Sequence, residues 1–432
     1  MNLFKPKKFP YGSKIHGYKL TKDCPIENMP SPPVVYISVS QHIGAPALPV
    51  VSIGDHVKKG QLIAAAQGVI SANVYSSVSG TVKAINDVKN GLGQIQKHII
   101  IENDFNNEEL SFPNIKDLSS AAIVERTALA GIVGLGGAGF PTAAKLSPKN
   151  QLSVLVVNGA ECEPYLTCDY RLMLENTDKI YQGIKLTAKA LNVQEIVIGI
   201  EKNKPKAIEE FSKYPDLKVI PLKKQYPMGS EKHLIYVTTG RKVPPGKMPF
   251  DVGACVQNVK TVLAIYEAVV NNKPLTETVV TVSGKGINQG KNLRVAIGTP
   301  FKDIIEFCGG YADETVKVIA GGPMMGKSLA NLNQYVRKTD SGILCLTTGE
   351  TNLDSPTPCI NCGICAKNCP MRLMPMYIES YYNAGNYAEA ERYGAMNCIE
   401  CGLCAYNCPA KRALVQSISA AKTKIKEMKK NG

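Results

Sequence analysis

The chain has 432 residues and carries 50 Lys+Arg against 36 Asp+Glu, a formal net charge of +14. A single hydrophobic core seldom grows past about 250–300 residues, so this length predicts two to four domains. No stretch approaches the roughly 18 apolar residues that span a bilayer, so a membrane role would be peripheral. The basic excess suits nucleic acid, anionic lipid or an acidic protein. There is no Trp and no interleaved aromatic-and-basic motif of the RNA-binding kinds, which sets nucleic acid aside.

In chain order, residues 1–32 are rich in Pro and Lys and read as irregular. The opening MNLFKPKKFPYG is basic but lacks the apolar segment of a secretory signal. Residues 33–105 hold short strand-like runs (VVYISVS, ALPVVSI, QLIAAA, VYSSVSG, TVKAI, KHIIIE) punctuated by Gly54, Gly60, Gly68 and Gly80. That pattern predicts a small β-barrel or sandwich. Gly54-Asp55-x-Val57-x-x-Gly60-Gln61 and Ser79-Gly80-x-Val82 resemble lipoyl and biotinyl carrier barrels. The intervening GVISANVYSS lacks the lysine such carriers modify, so a structural or docking barrel is expected.

The pattern then changes. A helix over 119–130 leads into the glycine-rich GIVGLGGAGFPTAAKL. Strand VLVV (154–157), one long helix over about 170–190, strand EIVIGI (195–200) and helix KPKAIEEFSK follow, with further helices at 231–239 and 258–270. Such alternation predicts an α/β layer with a parallel sheet. Strands ETVVTVSG and TVKVIAGG flank a helix FKDIIEFCG. The final AKTKIKEMKKNG, with five Lys and one Glu, is expected to be a solvated tail.

Eight of the fourteen cysteines fall between Cys359 and Cys408. Cys359-x2-Cys362-x2-Cys365-x3-Cys369-Pro370 is followed by Cys398-x2-Cys401-x2-Cys404-x3-Cys408-Pro409. This is the bacterial ferredoxin spacing, twice. Structural zinc sites instead pair two separated Cys-x2-Cys knuckles. Three closely spaced soft thiolates wrap one iron–sulfur cube, and in two-cluster ferredoxins each run's fourth cysteine serves the other cube. Cys359, Cys362, Cys365 and Cys408 are therefore assigned to one [4Fe–4S] cluster, and Cys398, Cys401, Cys404 and Cys369 to the other. The scattered Cys24, Cys162, Cys168, Cys255, Cys308 and Cys345 are read as small buried residues.

Gly134-Leu-Gly136-Gly137-Ala-Gly139 fits G-x-G-x-x-G. The dinucleotide fingerprint needs a strand before it and a helix after it, and the segment before it reads as helical or as a very short strand. What remains is the physics: closely spaced glycines let backbone N–H groups approach a phosphate. Lys145, in the following helix, is placed to meet the same phosphate or a flavin oxygen. The VLVV strand ends in Asn158-Gly-Ala-Glu161-Cys-Glu163-Pro164, where ligands of open α/β sheets bind. An amide there can pair with an isoalloxazine edge, and a carboxylate can accept from ribose hydroxyls.

Gly136-Gly137-Ala138-Gly139-Phe140-Pro141-Thr142 and Asn158-x-x-Glu161-x-Glu163-Pro164 resemble the NADH- and FMN-binding subunit of respiratory complex I. Gly229-Ser230-Glu231 and Asn258-Val259-Lys260-Thr261 resemble its two remaining flavin segments. Gln41-His-Ile-Gly-Ala-Pro46, Gly322-Pro-Met-Met-Gly326 and the cysteine repeat instead resemble the RnfC component of the Rnf (Rsx) electron transport complex, from about residue 10 to 410.

The resemblance implies a multidomain α/β and β chain. It comprises an extension (1–32), a barrel-sandwich domain (33–110), an FMN/NADH-binding α/β domain (111–273), a β-grasp-like (SLBB) domain (274–350), a helical ferredoxin-type 2[4Fe–4S] domain (351–412) and a basic tail (413–432). The implied cofactors are FMN, NAD(H) and two [4Fe–4S] clusters. The implied role is a peripheral subunit, at the cytoplasmic face of a bacterial cell membrane, of a ferredoxin:NAD+ oxidoreductase coupled to Na+ or H+ translocation. Its partners would be other subunits of that complex, including another iron–sulfur subunit, with ferredoxin reached through them.

Carried over by motif, Gly136, Gly137, Gly139, Lys145, Asn158, Glu231 and Asn258 would hold FMN. Phe140, Glu161 and Glu163 would face the nicotinamide nucleotide. This chain departs from complex I at Leu135, where a basic residue is usual, and at Ser230, where a glutamate is usual. The family's Gly-Gly-x-His-Pro appears as Gly12-Ser-Lys-Ile-His16-Gly17, with no role assigned. Two other readings share these features: a microcompartment cobalamin reductase, and a ferredoxin-like carrier without enzymatic activity. Gly321-x4-Gly326-Lys327-Ser328 also fits a P-loop, but Pro323 removes one of the N–H donors a phosphate cradle needs.

Overall fold

Short apolar runs broken by glycine build the first domain of the computed structural model, which describes residues 8–431. The first seven residues of the basic opening lie outside the described residues. After a strand β1 (Ile26–Asn28), discussed below, come β2 (Val34–Ser38), β3 (Leu48–Pro49), β4 (His56–Val57), β5 (Leu62–Ala65), β6 (Val74–Tyr75), β7 (Gly80–Lys89) and β8 (Ile95–Asn103). They form two antiparallel sheets, ordered β2-β8-β7-β4 and β3-β5-β6. Val35, Ile37, Val57, Ile63, Val82, Ile99 and Ile101 fill the space between them. Alternate residues of β2 and β8 face this core, as the period-two pattern requires.

The central domain runs α1 (Ser120–Leu129), α2 (Thr142–Leu146), β9 (Val154–Gly159), α3 (Cys168–Glu175), α4 (Thr177–Leu191), β10 (Glu195–Glu201), α5 (Pro205–Phe211), β11 (Lys218–Leu222), α6 (Glu231–Thr239), β12 (Ala254–Asn258) and α7 (Val259–Val269). Its sheet is wholly parallel and ordered β11-β10-β9-β12. β9 is covered on both faces, so VLVV reads as a continuous apolar run. The chain steps outward from β9 to β11 and then returns to the other side of β9. That reversal opens a crevice at the carboxyl ends of β9 and β12, where α/β sheets bind ligands.

The long helix expected over 170–190 is two helices. They are divided at Asn176 (φ −135°, ψ 34°), where Asn-Thr-Asp supplies helix-start chemistry in mid-run. The strands β11 and β12 were not expected from sequence; KVIPL carries a proline and ACVQN lacks alternation.

The third domain holds β13 (Glu277–Ser283), β14 (Lys291–Ala296), α8 (Phe301–Phe307), β15 (Thr315–Ala320), β16 (Lys327–Ser328) and β17 (Gly342–Thr347). Its six-stranded sheet is ordered β1-β14-β13-β17-β15-β16. The extension read as irregular thus supplies an edge strand, β1, parallel to β14. Lys327 and Ser328 pair with β15 rather than opening a helix, which removes the P-loop context.

The cysteine-bearing segment folds as α9 (Ile364–Asn368), α10 (Pro375–Asn383), α11 (Tyr387–Arg392), α12 (Leu403–Tyr406) and α13 (Leu414–Asn431). The expected solvated tail is the second half of α13. Ile418, Ala421 and Ile425, spaced at three and four residues, bury one face against Ile378 and Ala390. The five lysines masked this stripe, although one of them, Lys422, itself turns inward to donate to the Cys398 carbonyl at 2.9 Å.

Candidate functional site

Asn158 and Asn258 are partners across the β9–β12 register, at the mouth of the crevice. Asn258 caps α7, its Oδ1 accepting from the Lys260 amide at 2.7 Å, while its Nδ2 donates to Asp169 Oδ2 at 2.8 Å. Asn158 Nδ2 donates to the Gly229 carbonyl at 2.9 Å.

The glycine loop closes over this pair. Val133 and Pro141 form a bridge at its neck, and Gly136 and Gly139 take left-handed φ values of +79° and +73°. A Cβ at Gly136 would lie 3.4 Å from Asn258 Nδ2, whereas one at Gly137 would meet nothing within 4 Å. The loop therefore presents bare backbone to open space. Leu135 turns inward to pack with Ala72 and Val133, and its amide donates to Thr261 Oγ1 at 2.9 Å. Its side chain accordingly does not line the loop's open face.

Lys145 of α2 lies 2.8 Å from Glu231 Oε1, the first residue of α6, and also donates to the Val256 carbonyl. Ser230, before it, bonds His233 Nδ1 at 3.0 Å. The structure thus gathers Gly136, Gly137, Lys145, Asn158, Glu231 and Asn258 around the crevice. Gly139 is buried beside Thr339, and Phe140 is half-buried with its carbonyl bonded to Gly134.

The two glutamates after β9 part company. Glu161 (φ +45°) accepts from the Asp169 amide at 2.7 Å, and its other oxygen is buried without a hydrogen-bond partner. Burial pushes its pKa up to about 7, against the pull of Lys19 and Lys204. Glu163 accepts from the Met324 and Met325 amides at 3.2 and 3.0 Å and from the Tyr226 hydroxyl at 3.2 Å. Burial raises it also to about 7, opposed by those bonds. Glu163 is therefore turned to the 322–325 turn and is not brought together with Glu161.

Cys359, Cys362, Cys365 and Cys408 line one small cavity, and Cys369, Cys398, Cys401 and Cys404 line a second. Each is a soft four-thiol donor set of the kind that iron–sulfur cubes take. Around the second, the Leu373 amide donates to Cys369 Sγ at 3.3 Å and the Glu400 amide to Cys398 Sγ at 3.4 Å. Cys401 and Leu403 share an apolar cluster with Ile15 and Tyr226, bordered by Cys162 and Met324. The second cavity thus abuts the Glu161–Glu163 loop.

Sequence reasoning missed four residues. Asp169 links Asn258 to Glu161, and Tyr226 links Glu163 to the second cavity. Lys204 donates to the Ala160 carbonyl at 2.7 Å, and Lys19 contacts the same loop. An aspartate in the first turn of α3 was a readable signal; a lysine in an irregular basic extension was not.

Comparison with known proteins matches four domains along the chain. Residues 7–106 match the RnfC barrel sandwich hybrid domain, 128–267 the Nuo51 FMN-binding domain, 279–328 the SLBB domain and 358–412 the 4Fe-4S dicluster domain. The chain is 50% identical over 94% of its length, and 91% of the relative's, to the C component of the proton-translocating ferredoxin:NAD(+) oxidoreductase complex of Clostridium ljungdahlii. It is 44% identical over 94% of its length, and 81% of the relative's, to the C component of the ion-translocating oxidoreductase complex of Rhodobacter capsulatus. It is 41% identical over 95% of both chains to the C component of the Na(+)-translocating ferredoxin:NAD(+) oxidoreductase complex of Acetobacterium woodii. Among solved structures, an NAD+-reducing [NiFe]-hydrogenase in the H2-reduced state shares the fold at a TM-score of 0.51 and 18% identity, over 70% of this chain and 61% of that one. No helix among the described residues is long and apolar enough to cross a membrane. By identity along nearly its whole length, the chain belongs to the RnfC family, the C components of ion-translocating ferredoxin:NAD(+) oxidoreductase complexes.

Proposed function

We propose that this chain exchanges hydride between NAD(H) and FMN in the β9–β12 crevice and passes single electrons through two [4Fe–4S] clusters to a neighbouring subunit. Bound FMN would supply the exchange between two-electron and one-electron chemistry. The observation that carries the reading is the abutment of the second cysteine cavity on the Glu161–Glu163 loop through Tyr226, Cys162 and Met324.

The chain's own groups divide the work. The open backbone at Gly136–Gly137 and the ammonium of Lys145 suit a phosphate; Asn158, Glu231 and Asn258 suit polar edges of the flavin and ribityl chain. Glu161, with an unused oxygen, suits the nicotinamide nucleotide beside Phe140. Glu163 serves the same loop by tying it to the 322–325 turn. Cys369, Cys398, Cys401 and Cys404 would hold the inner cluster, next to the flavin domain. Cys359, Cys362, Cys365 and Cys408 would hold the outer one.

Cys359 and Cys362 are exposed, beside the exposed Ile360. That opening is the proposed exit to another iron–sulfur subunit at the cytoplasmic face of the membrane, with the +14 charge assisting attraction to an acidic surface. The test uses anaerobically prepared chain. FMN, about eight irons and NADH oxidation with an artificial acceptor are expected. Zinc without sulfide, or no bound flavin, would sink the reading.

A further inference from the structure

The N-terminal segment crosses between the flavin-type domain and the cysteine domain and touches both. Near its start, Ser13 pairs with Tyr226 through both backbone groups, at 3.1 and 2.9 Å, and its hydroxyl donates to Asn368 Oδ1 at 2.8 Å. The Arg372 guanidinium lies 5.0 Å from the Tyr11 ring centroid. Ile15 is buried with Tyr226, Cys401 and Leu403. Four residues further on from Ser13, the Gly17 carbonyl accepts from the Tyr165 amide at 2.8 Å, and Tyr18 stacks on Tyr165 at 5.0 Å. The segment is thus anchored on both domains, and the side chain that follows is delivered to a set place.

That side chain is Lys19. Its ammonium donates to the carbonyls of Glu161 and Glu163, each at 2.9 Å, and of Leu166, and lies 3.8 Å from Glu161 Oε2. Three carbonyls converging on one point repel one another unless a cation sits among them. The loop that makes them converge also holds Glu161 (φ +45°) and Tyr165 (φ +66°) in the left-handed region. Side chains rarely adopt that region without strain, so the conformation must be held from outside. An ammonium with three donors fits that nest. Lys204 performs a lesser version of the task at Ala160, donating to its carbonyl at 2.7 Å.

We infer that Lys19 is a positioning residue for the reaction: it sets the Glu161–Leu166 loop, and with it the Glu161 carboxylate, for the nicotinamide nucleotide. The inference rests on the assignment of the crevice proposed above. Lys19 itself touches no crevice residue other than this loop, so its effect is on nucleotide affinity rather than on flavin retention.

The test compares wild type, Lys19→Met and Lys19→Arg as full-length holoproteins, each scored for FMN and iron content and for NADH oxidation with an artificial acceptor. Lys19→Met keeps an unbranched stem and loses the ammonium with its donors; it should raise the KM for NADH at least tenfold, change kcat less than threefold, and keep its flavin. Lys19→Arg keeps charge and donors and should return KM to within threefold of wild type. A flavin-replete Lys19→Met protein with wild-type KM, or one that loses only kcat, overturns the inference. If Lys19→Met does not assemble, Lys19→Gln, which is uncharged and one atom shorter and so cannot bond all three carbonyls, is read by the same KM criterion. If wild type itself oxidises no NADH, the crevice assignment has failed rather than the role of Lys19 within it.

Discussion

The two cysteine cavities have the same sequence spacing and opposite surroundings. The outer one has two exposed thiols, Cys359 and Cys362, and Arg412 in its wall. The inner one has Cys369, Cys401 and Cys404 buried, with Leu373, Val415 and Ile418 as neighbours. Burial pushes the Cys401 thiol up to about 12. Identical motifs thus give one site facing solvent and one facing the flavin domain. The difference arises outside the motifs, in what the N-terminal segment, α6 and α13 lay over them.

The largest way to break this comparison is to remove a shared residue. Cys369 sits in the first run but lines the cavity of the second. Cys369→Ala should lower iron from about eight per chain to about four, abolish electron transfer beyond the flavin, and spare NADH oxidation with an artificial acceptor. Spectroscopy that finds the second-run cluster intact and the first-run cluster missing would refute the crossed assignment.

A smaller effect concerns potential. Reduction adds negative charge, which water favours at the outer site and burial opposes at the inner one; each site has one cation already held in an ion pair, Arg412 with Glu379 at the outer and Lys422 with Glu400 at the inner. The N–H···S bonds to Cys369 and Cys398 act in the other direction, but they are two fixed dipoles against the loss of most surrounding water. The outer cluster should therefore reduce first, by at least about 60 mV, a tenfold one-electron preference. Ile418, 1% exposed, walls the inner cavity. Ile418→Ala should cost about 2–4 kcal/mol of stability, admit water, and narrow the gap between the clusters. A redox titration followed by electron paramagnetic resonance reads both potentials. An inner cluster that reduces first would show that its amide bonds outweigh burial.

Legibility followed how local the determinant was. The cysteine runs, the glycine loop and the strand-end Asn158 motif are short and chemically specific, and the structure sets each on the element expected or beside it. The α/β alternation was legible wherever apolar runs were long, as in Val154–Gly159 and Glu195–Glu201. It failed at Lys218–Leu222, Ala254–Asn258 and Ile26–Asn28, strands whose pairing partner, not whose own pattern, makes them strands. The tail was misread because five lysines hid three buried residues of α13. Lys19 and Tyr226 act only through contacts distant in sequence, and no local pattern announces them. Glu163 was legible as part of a motif, yet the direction of its carboxylate was not, since it depends on a turn 161 residues away.

That turn carries the smallest prediction, and it tests the join between the inner cavity and the flavin loop. Glu163 has a folded pKa of about 7 against an ordinary 4.5, with burial as the main cause. Between those values the folded chain keeps a proton that the unfolded chain has released. The contribution to stability is therefore full below 4.5 and is lost as pH rises through 7. From pH 6 to 8 the loss from this one group should be about 1.4 kcal/mol. Glu161, raised to about 7 by burial, adds a slope of the same sign. Glu163→Gln is neutral at every pH and removes the first slope only. Its single acceptor oxygen cannot satisfy the Met324 and Met325 amides as well as two oxygens do, so the variant should be less stable than wild type at pH 6. The deficit should shrink toward pH 8, because wild type then holds a charged, buried carboxylate. Anaerobic thermal unfolding of both proteins at pH 6, 7 and 8 measures the difference. A deficit that grows with pH would mean that the Met324 and Met325 amides stabilise the ionised carboxylate by more than its burial costs.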